Sequence, residues 1–133
     1  MPIPRLVYLQ NIINQEAGLV VAQNDDQLPF EIKRVYWFYQ VPEGQERGHH
    51  AHKKSHKVLV CQQGIVEVKL ENTMGEIFNF KLDKPFEGIY VPPMYWGTYT
   101  FKAGATMICL ASSLYDEEDY IRDYNIFSTY NEE

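Results

Sequence analysis

Apolar and polar residues alternate along much of the chain with the two-residue period of a β-strand. In the clearest case, Val66, Val68 and Leu70 alternate with Glu67 and Lys69, which is typical of an antiparallel strand with one buried face. Turn residues separate such segments at short intervals. The predicted strands cover residues 19–22, 33–41, 57–61, 65–70, 77–82, 88–91, 97–101 and 106–112. Many short strands at this spacing predict an all-β antiparallel sandwich or barrel.

The last part of the chain has a different pattern. Four acidic residues at 116–119 precede Tyr120, Tyr124 and Phe127, which recur at helical spacing with Ile121 alongside. Carboxylates are favourable in the first turn of a helix because they lie at the positive end of its dipole. We therefore predict one short C-terminal helix that packs on the sheet. We interpret the acids as partners of the helix dipole rather than as catalytic groups.

Composition limits the possible partners and the location of the chain. The 133 residues suit a single domain over residues 1–133. The net charge is −6 and no basic run exceeds Lys53-Lys54, so duplex nucleic acid and anionic membranes are not expected partners. The sequence shows no signal peptide and no apolar run of bilayer length, and the cytoplasm is the expected location. Cys61 and Cys109 lie in apolar runs and are predicted to be buried thiols.

The histidines are concentrated in one short segment. Three of the four lie at residues 49–52, and the fourth is His56. On a strand, His50 and His52 point to the same face, with their Cα atoms about 6.6–7 Å apart. His56 shares their parity and His49 has the opposite one. Since imidazole exchanges protons near neutral pH, two aligned rings indicate either a metal site or a general acid/base pair.

The metal site requires a third ligand, whereas the acid/base pair requires only two histidines. The spacing His-x-His-x3-His resembles the first cupin motif, with His56 in a place that a glutamate usually fills. The second cupin motif normally supplies another histidine after a proline-containing turn, but residues 91–98 contain none. A third possibility is that His50 and His52 only form hydrogen bonds.

A second segment with functional side chains lies at residues 30–39. Its alternation places Arg34, Tyr36 and Phe38 on one face. An arginine and a tyrosine inside a barrel are costly without a polar ligand or partner. Tyr36 can donate a hydrogen bond to a sugar oxygen, and Arg34 or Arg47 can bind a phosphate in bidentate geometry. A salt bridge at the barrel rim is the alternative for each arginine.

Four segments together resemble the nucleotide-sugar 3,4-ketoisomerases. They are residues 29–36, 47–53, 90–96 and 110–124, and the element Arg-Gly-x-His-Ala-His at residues 47–52 is the most specific. The resemblance covers nearly the whole chain in the same order. It implies a cupin-type β-barrel or jelly roll and a homodimer that exchanges N-terminal strands. It also implies that no metal or other cofactor takes part.

The resemblance further implies a reaction and the residues that carry it out. The substrate is expected to be dTDP-4-keto-6-deoxy-glucose, whose carbonyl moves to C3 by proton transfer through an enediol. Such isomerases serve the biosynthesis of deoxy-amino sugars for glycans such as O-antigen. The catalytic histidines of the family fall on His50 and His52, and its sugar-contacting tyrosine falls on Tyr36. We favour His50 as the base that removes the C3 proton.

Three further residues and two rival functions complete the prediction. Arg34, Arg47 and Trp96 are the candidate substrate-binding residues, with a core position as the alternative for Trp96. Gly97 follows the tryptophan where many members of the family carry a polar residue or histidine, so the configuration at C4 of the product stays open. The rival hypotheses are a metal-dependent cupin enzyme and a non-catalytic cupin that only binds a sugar nucleotide.

Overall fold

A computed structural model of the chain describes residues 2–131. The strands are β1 (Arg5–Tyr8), β2 (Gln10–Asn14), β3 (Ala17–Val21), β4 (Arg34–Phe38), β5 (Glu46–His52), β6 (Lys57–Glu71), β7 (Ile77–Leu82), β8 (Glu87–Val91), β9 (Trp96–Ala111) and β10 (Tyr120–Ile121). A 3₁₀ turn covers Glu117–Asp119 and the helix α1 covers Tyr124–Ser128. No helix within residues 2–131 has the length and apolar character needed to span a bilayer.

The two longest strands, β6 and β9, connect the two sheets of the barrel. They pair in antiparallel fashion from Lys57 opposite Ala111 to Glu71 opposite Trp96. On one side of a register shift near Gly64, β9 also pairs with β4, and β6 with β8, which in turn pairs with β1. On the other side, β9 pairs with β5, and β6 with β7. The two sheets that result confirm the predicted all-β antiparallel barrel of jelly-roll type.

The predicted strands merge where a bulge keeps the chain extended. The segments predicted at residues 57–61 and 65–70 are both parts of β6, and those at 97–101 and 106–112 belong largely to β9. Gly64 lies at the bulge with φ of +85°, and a Cβ atom there would lie 2.6 Å from Ala105 Cα. Glycine is therefore required where β6 passes from one sheet to the other.

The core of the barrel lies between the two sheets. Its fully buried side chains include Leu59, Val66, Leu70, Leu82, Ile89, Phe101 and Met107. Cys61 and Cys109 belong to the same cluster and are buried free thiols, as predicted. A second cluster covers the outer face of the β4–β9–β6–β8 sheet, where Val58 and Val60 of β6 pack against residues of β1 and the loops. Alternate residues of β6 thus face opposite sides of the sheet.

The prediction of a single C-terminal helix is wrong in its extent. The acidic run forms a 3₁₀ turn, and Tyr120 and Ile121 then pair with His52 and Ala51 at the edge of β5. This edge offers unpaired backbone groups, and their pairing with β10 prevents a continuous helix. The helix itself has five residues, and its Phe127 is fully buried, so the predicted packing of a short helix on the sheet is confirmed.

We expect Gly64→Ala to destabilise the chain more than Gly75→Ala. Both glycines have positive φ values, +85° and +84°, but a Cβ at position 75 would meet nothing within 4 Å. A left-handed alanine costs about 1–2 kcal/mol at either position. At position 64 the contact with Ala105 should cost about 1–3 kcal/mol more. Urea denaturation of both variants measures the difference, and equal losses of unfolding free energy would contradict the assignment.

Candidate active site

Strand β5 places His50 and His52 side by side inside the barrel. Their ring centroids are 5.1 Å apart and the ring planes are nearly perpendicular. A bulge between Gly48 and His50 leaves His49 with φ of +58° and an exposed side chain. The prediction that His50 and His52 share a face, with His49 directed away, is confirmed.

Hydrogen bonds at Nδ1 fix the orientation of both rings. His52 Nδ1 lies 2.9 Å from Asp119 Oδ2, and His50 Nδ1 lies 3.1 Å from the carbonyl oxygen of Gly48. Since carboxylate and carbonyl oxygens only accept hydrogen bonds, each Nδ1 carries the hydrogen of the neutral ring. The lone pair is then on Nε2. Both Nε2 atoms are buried, and neither has a hydrogen-bond partner within residues 2–131.

Burial keeps both imidazoles uncharged near neutral pH. Loss of hydration is the main reason that the pKa of His50 falls to about 3 and that of His52 to about 2. The Lys57 ammonium is the second cause for both rings, and Arg34 and Arg122 act on His52 as well. Asp119 lies within ion-pair distance of His52, but the burial of the ring and the nearby cations outweigh it. The pair is therefore two neutral rings, each with a basic nitrogen available.

Strand β4 lies in the opposite sheet and brings Tyr36 and Arg34 towards the interior. Tyr36 lies opposite Cys109 in the sheet register, and burial raises the pKa of Tyr36 far above its ordinary value, so it stays a phenol. The Arg34 guanidinium lies 5.0 Å from the Tyr36 ring and 5.8 Å from the Tyr115 ring. Its buried Nε has no hydrogen-bond partner within residues 2–131. Both side chains thus have polar groups available for a ligand.

The arginines do not form the rim salt bridges that were the alternative prediction. Within residues 2–131, neither Arg34 nor Arg47 has a carboxylate at ion-pair distance. Arg47 instead donates to the carbonyl oxygen of Glu46 at 2.7 Å and to Gln45 Oε1 at 3.2 Å. Its guanidinium therefore contacts the two residues that precede it in the chain.

Trp96, a candidate substrate-binding residue, lies on the other face of the sheet from the histidine pair. On β9, Gly97 and Tyr99 face the barrel interior, so Trp96 faces the other side. Its ring lies 5.4 Å from the Tyr124 ring and 5.7 Å from the Phe127 ring. Trp96 is thus a packing residue beneath α1, which was the alternative for this position.

His56 also lies apart from the pair, contrary to its predicted parity. Its Nδ1 is 2.7 Å from the Tyr90 hydroxyl, and the two rings are stacked. The parity argument failed because the chain leaves the extended conformation between β5 and β6. His56 therefore does not provide the third metal ligand. Among residues 2–131, no group of three or more His, Cys, Asp or Glu side chains is placed to hold a metal ion.

The segment that follows β9 covers the histidine pair and was missed by the sequence analysis. The Tyr120 ring lies 5.1 Å from the His50 ring and 4.3 Å from the His52 ring. Arg122 lies 4.2 Å from the Tyr120 ring and binds both carboxylate oxygens of Glu117. The interpretation of the acidic run as dipole partners alone is wrong, because Asp119 orients His52. Sixty-seven residues separate this pair in the chain, and no local pattern reveals the contact.

Lys57 is a second residue that the sequence analysis passed over. It is the first residue of an apolar strand segment, yet its side chain is only 3% exposed. It shares the interior face of β6 with Leu59 and Cys61. Its Nζ donates to the Tyr99 hydroxyl at 3.2 Å. The parity of Leu59 and Cys61 would have indicated that Lys57 points inwards.

Comparisons with known proteins identify the family. The family model described as FdtA, WxcM-like, C-terminal matches residues 4–132. The TDP-4-oxo-6-deoxy-alpha-D-glucose-3,4-oxoisomerase of Aneurinibacillus thermoaerophilus is 40% identical over 129 residues, which cover 95% of this chain and 91% of that protein. The chain belongs to the FdtA-like family of sugar 3,4-ketoisomerases.

Solved structures of FdtA-like ketoisomerases share the fold along most of their length. QdtA, a sugar 3,4-ketoisomerase from Thermoanaerobacterium thermosaccharolyticum solved with TDP, is 35% identical with a TM-score of 0.89. The match covers 94% of this chain and 91% of QdtA. WlaRA, a TDP-fucose-3,4-ketoisomerase from Campylobacter jejuni, is 27% identical with a TM-score of 0.86, and the match covers 94% of this chain and 93% of WlaRA.

We expect Asp119→Asn to change the protonated nitrogen of His52. The carboxylate accepts from Nδ1, whereas an asparagine amide can turn its NH₂ group towards the ring and stabilise the Nε2-protonated form. Nitrogen NMR of labelled histidine distinguishes the two forms. Glu118→Gln is the matched control, since this neighbouring side chain is exposed. An unchanged His52 spectrum in Asp119→Asn would show that the carboxylate does not set the tautomer.

Proposed function

We propose that this ketoisomerase converts dTDP-4-keto-6-deoxy-glucose into the corresponding 3-keto sugar. The observation that carries the proposal is the buried pair of neutral histidines, each with an Nε2 that has no hydrogen-bond partner in the described part of the chain. The relatives support the substrate class, since QdtA was solved with TDP and a QdtA variant with TDP-4-keto-6-deoxyglucose. We do not favour a non-catalytic cupin that only binds a sugar nucleotide. Binding alone does not require two buried, basic ring nitrogens that have no hydrogen-bond partner among the described residues.

The reaction requires proton transfers at two carbons and two oxygens of one sugar. A base removes the C3 proton, and the C3–H electron pair forms the C3=C4 double bond while the C4 carbonyl pair moves to its oxygen. The C4 oxygen gains a proton and the C3 hydroxyl gives one up. The C3 carbonyl then forms and C4 takes a proton. Substrate and product have the same oxidation level, so positioned bases suffice for the proton movements.

The geometry supports different roles for the two histidines. Asp119 accepts a hydrogen bond from His52 Nδ1 and would stabilise the imidazolium that forms when His52 takes a proton from a sugar oxygen. His52 is therefore suited to carry a proton between the C3 and C4 oxygens. His50, whose Nδ1 contacts only a neutral carbonyl oxygen, is our choice for the base at C3.

The proposed substrate contacts come mainly from β4. Tyr36 remains protonated in its buried position and can donate a hydrogen bond to a sugar oxygen. Arg34 has a buried Nε without a partner within residues 2–131, and a guanidinium is well suited to a diphosphate. Arg47 would have to exchange its contacts with β5 for a phosphate, so we rank it below Arg34.

We expect His50→Asn and His52→Asn each to lower kcat by about 10²–10⁴-fold, the usual contribution of a positioned acid or base. His49→Asn is the matched control, because this histidine is exposed and asparagine tolerates its positive φ. NMR of the dTDP-keto sugar in D₂O follows the isomerised product and the hydrogen at C3 and C4.

Other outcomes of this experiment would favour the rival functions. Turnover that persists without His50 and His52 would contradict the proposal. Tight TDP binding by the unaltered chain without turnover of any keto sugar would favour the non-catalytic cupin. One transition metal per chain and loss of activity to chelators would favour the metal-dependent enzyme.

We also propose that the chain forms a homodimer that exchanges N-terminal strands. Strand β1 pairs with β8 of its own chain, whereas β2 and β3 form a separate two-stranded sheet. On this hairpin Ile13 is 71% exposed, and the outer face of β4 exposes Val35, Trp37 and Tyr39. A second copy that covers these apolar surfaces would remove them from water. We place the enzyme in the cytoplasm, which suits its two free thiols.

The dimer proposal predicts that Trp37→Lys weakens self-association. A lysine at the centre of the apolar β4 face would bring a charge into the proposed interface. We expect light scattering to show a shift from dimer towards monomer with no loss of the barrel fold by circular dichroism. Ile77→Lys replaces an exposed apolar residue of β7 and should leave the dimer intact. A monomeric unaltered chain would contradict the proposal.

A further inference from the structure

Lys57 lies in the interior of the barrel on the same level as Arg34. In the sheet register, Ala111 of β9 is opposite Arg34 of β4 on one side and opposite Lys57 of β6 on the other. Residues in register point to the same face of a sheet, and these two cationic side chains lie two strands apart, about 10 Å. The interior therefore contains a second cation next to the arginine already proposed to contact the substrate.

The Lys57 ammonium is bound to the protein through Tyr99. Its Nζ donates to the Tyr99 hydroxyl at 3.2 Å. Space for this tyrosine comes from two glycines. A Cβ atom on Gly97 would lie 2.5 Å from the hydroxyl, and one on Gly48 would lie 3.0 Å from the ring. Tyr99 and Lys57 thus form one packed unit beside β5, the strand that carries the histidines.

In the part of the chain that the structure describes, the ammonium has no anionic partner to offset its burial. No carboxylate within residues 2–131 lies at ion-pair distance from Nζ. An ammonium can donate three hydrogen bonds, and one neutral hydroxyl is a poor replacement for the water that it loses on burial. A lysine in this position costs folding stability, so a functional reason for the residue is expected.

We propose that Lys57 is a catalytic cation that donates hydrogen bonds to the sugar oxygens carrying negative charge in the enediolate. This role rests on the proposed ketoisomerase function. When the C3–H pair moves into the C3=C4 bond, charge develops on the C4 oxygen and later on the C3 oxygen. The ammonium keeps its own protons throughout, and the histidines perform the transfers. Two neutral imidazoles provide no positive charge at this stage, whereas a fixed cation in a site without water stabilises it strongly.

Lys57 also acts on the histidines, and this second effect has the opposite consequence for the rate. The ammonium contributes to the lowered pKa of His50 and of His52. The other titratable or charged groups that face the two rings are Arg34 of β4, and Glu117, Asp119, Tyr120 and Arg122 of the covering segment. A chain without Lys57 should contain stronger bases. Its rate would rise if the ammonium acted only on the bases, and would fall if the ammonium stabilises the enediolate.

The test compares Lys57→Met, Lys57→Gln and Lys57→Arg with the unaltered chain on dTDP-4-keto-6-deoxy-glucose. We expect kcat to fall about 10²–10³-fold in the Met and Gln variants, which is the usual effect of losing one donor to a developing oxyanion. Lys57→Arg should recover part of this loss, and TDP affinity measured by calorimetry should change less than twofold. Histidine NMR titrations should show the pKa of His50 and of His52 rising in Lys57→Met. Lys81→Met is the control, since this lysine is exposed.

The outcomes separate the role of Lys57 from the proposed function. An active unaltered chain with kcat in Lys57→Met and Lys57→Gln within threefold, or raised, overturns the role of Lys57 alone. An unaltered chain that does not isomerise the sugar overturns both. Thermal melting identifies a variant that fails to fold. If Lys57→Met is such a variant, Lys57→Gln decides, because glutamine keeps a donor for Tyr99 without the charge.

Discussion

The antiparallel pairing of β6 with β9 determines where the histidine pair and the interior cations lie. Because both strands pass through the bulge near Gly64 and enter both sheets, one end of β9 fixes His50 through Gly97 and the other end fixes Arg34 and Lys57 through Ala111. Strands β4, β5 and β6 all pair with β9, so the site is assembled between the two sheets around this one strand. A change of one residue in this register would move the histidines or the cations to the outer face.

The electrostatics of the interior favour an anionic intermediate over protonated histidines. Burial and nearby cations hold His50 and His52 neutral, while Lys57 and Arg34 remain without carboxylate partners within residues 2–131. The Asp119 carboxylate also lies at the site, but it accepts its hydrogen bond from a ring nitrogen of His52. Positive charge is thus present before the reaction begins, as expected of a preorganised site. The same arrangement makes the histidines weak bases, so proton removal and charge stabilisation have to act together.

Local patterns predicted the parts of the site that lie on regular strands. Alternation was sufficient for the shared face of His50 and His52 and for the inward direction of Arg34 and Tyr36, because the side-chain period of a strand has few exceptions. It failed for His56, where a loop interrupts the strand. Asp119 and Tyr120 were missed because their pairing with β5 depends on a contact across 67 residues.

The cover of the site includes one interaction at the protein surface that is weak in water. Tyr120 seals both histidines, and Arg122, which lies against its ring, is held by Glu117 at the protein surface. Exposed ion pairs contribute only about 0–1 kcal/mol and weaken as salt is added. The covering segment is therefore anchored mainly by the pairing of β10 with β5 and by the hydrogen bond from His52 to Asp119. The roof over the two rings thus depends little on the ionic strength of the solvent, because the contacts that anchor it lie on the strand that carries the rings.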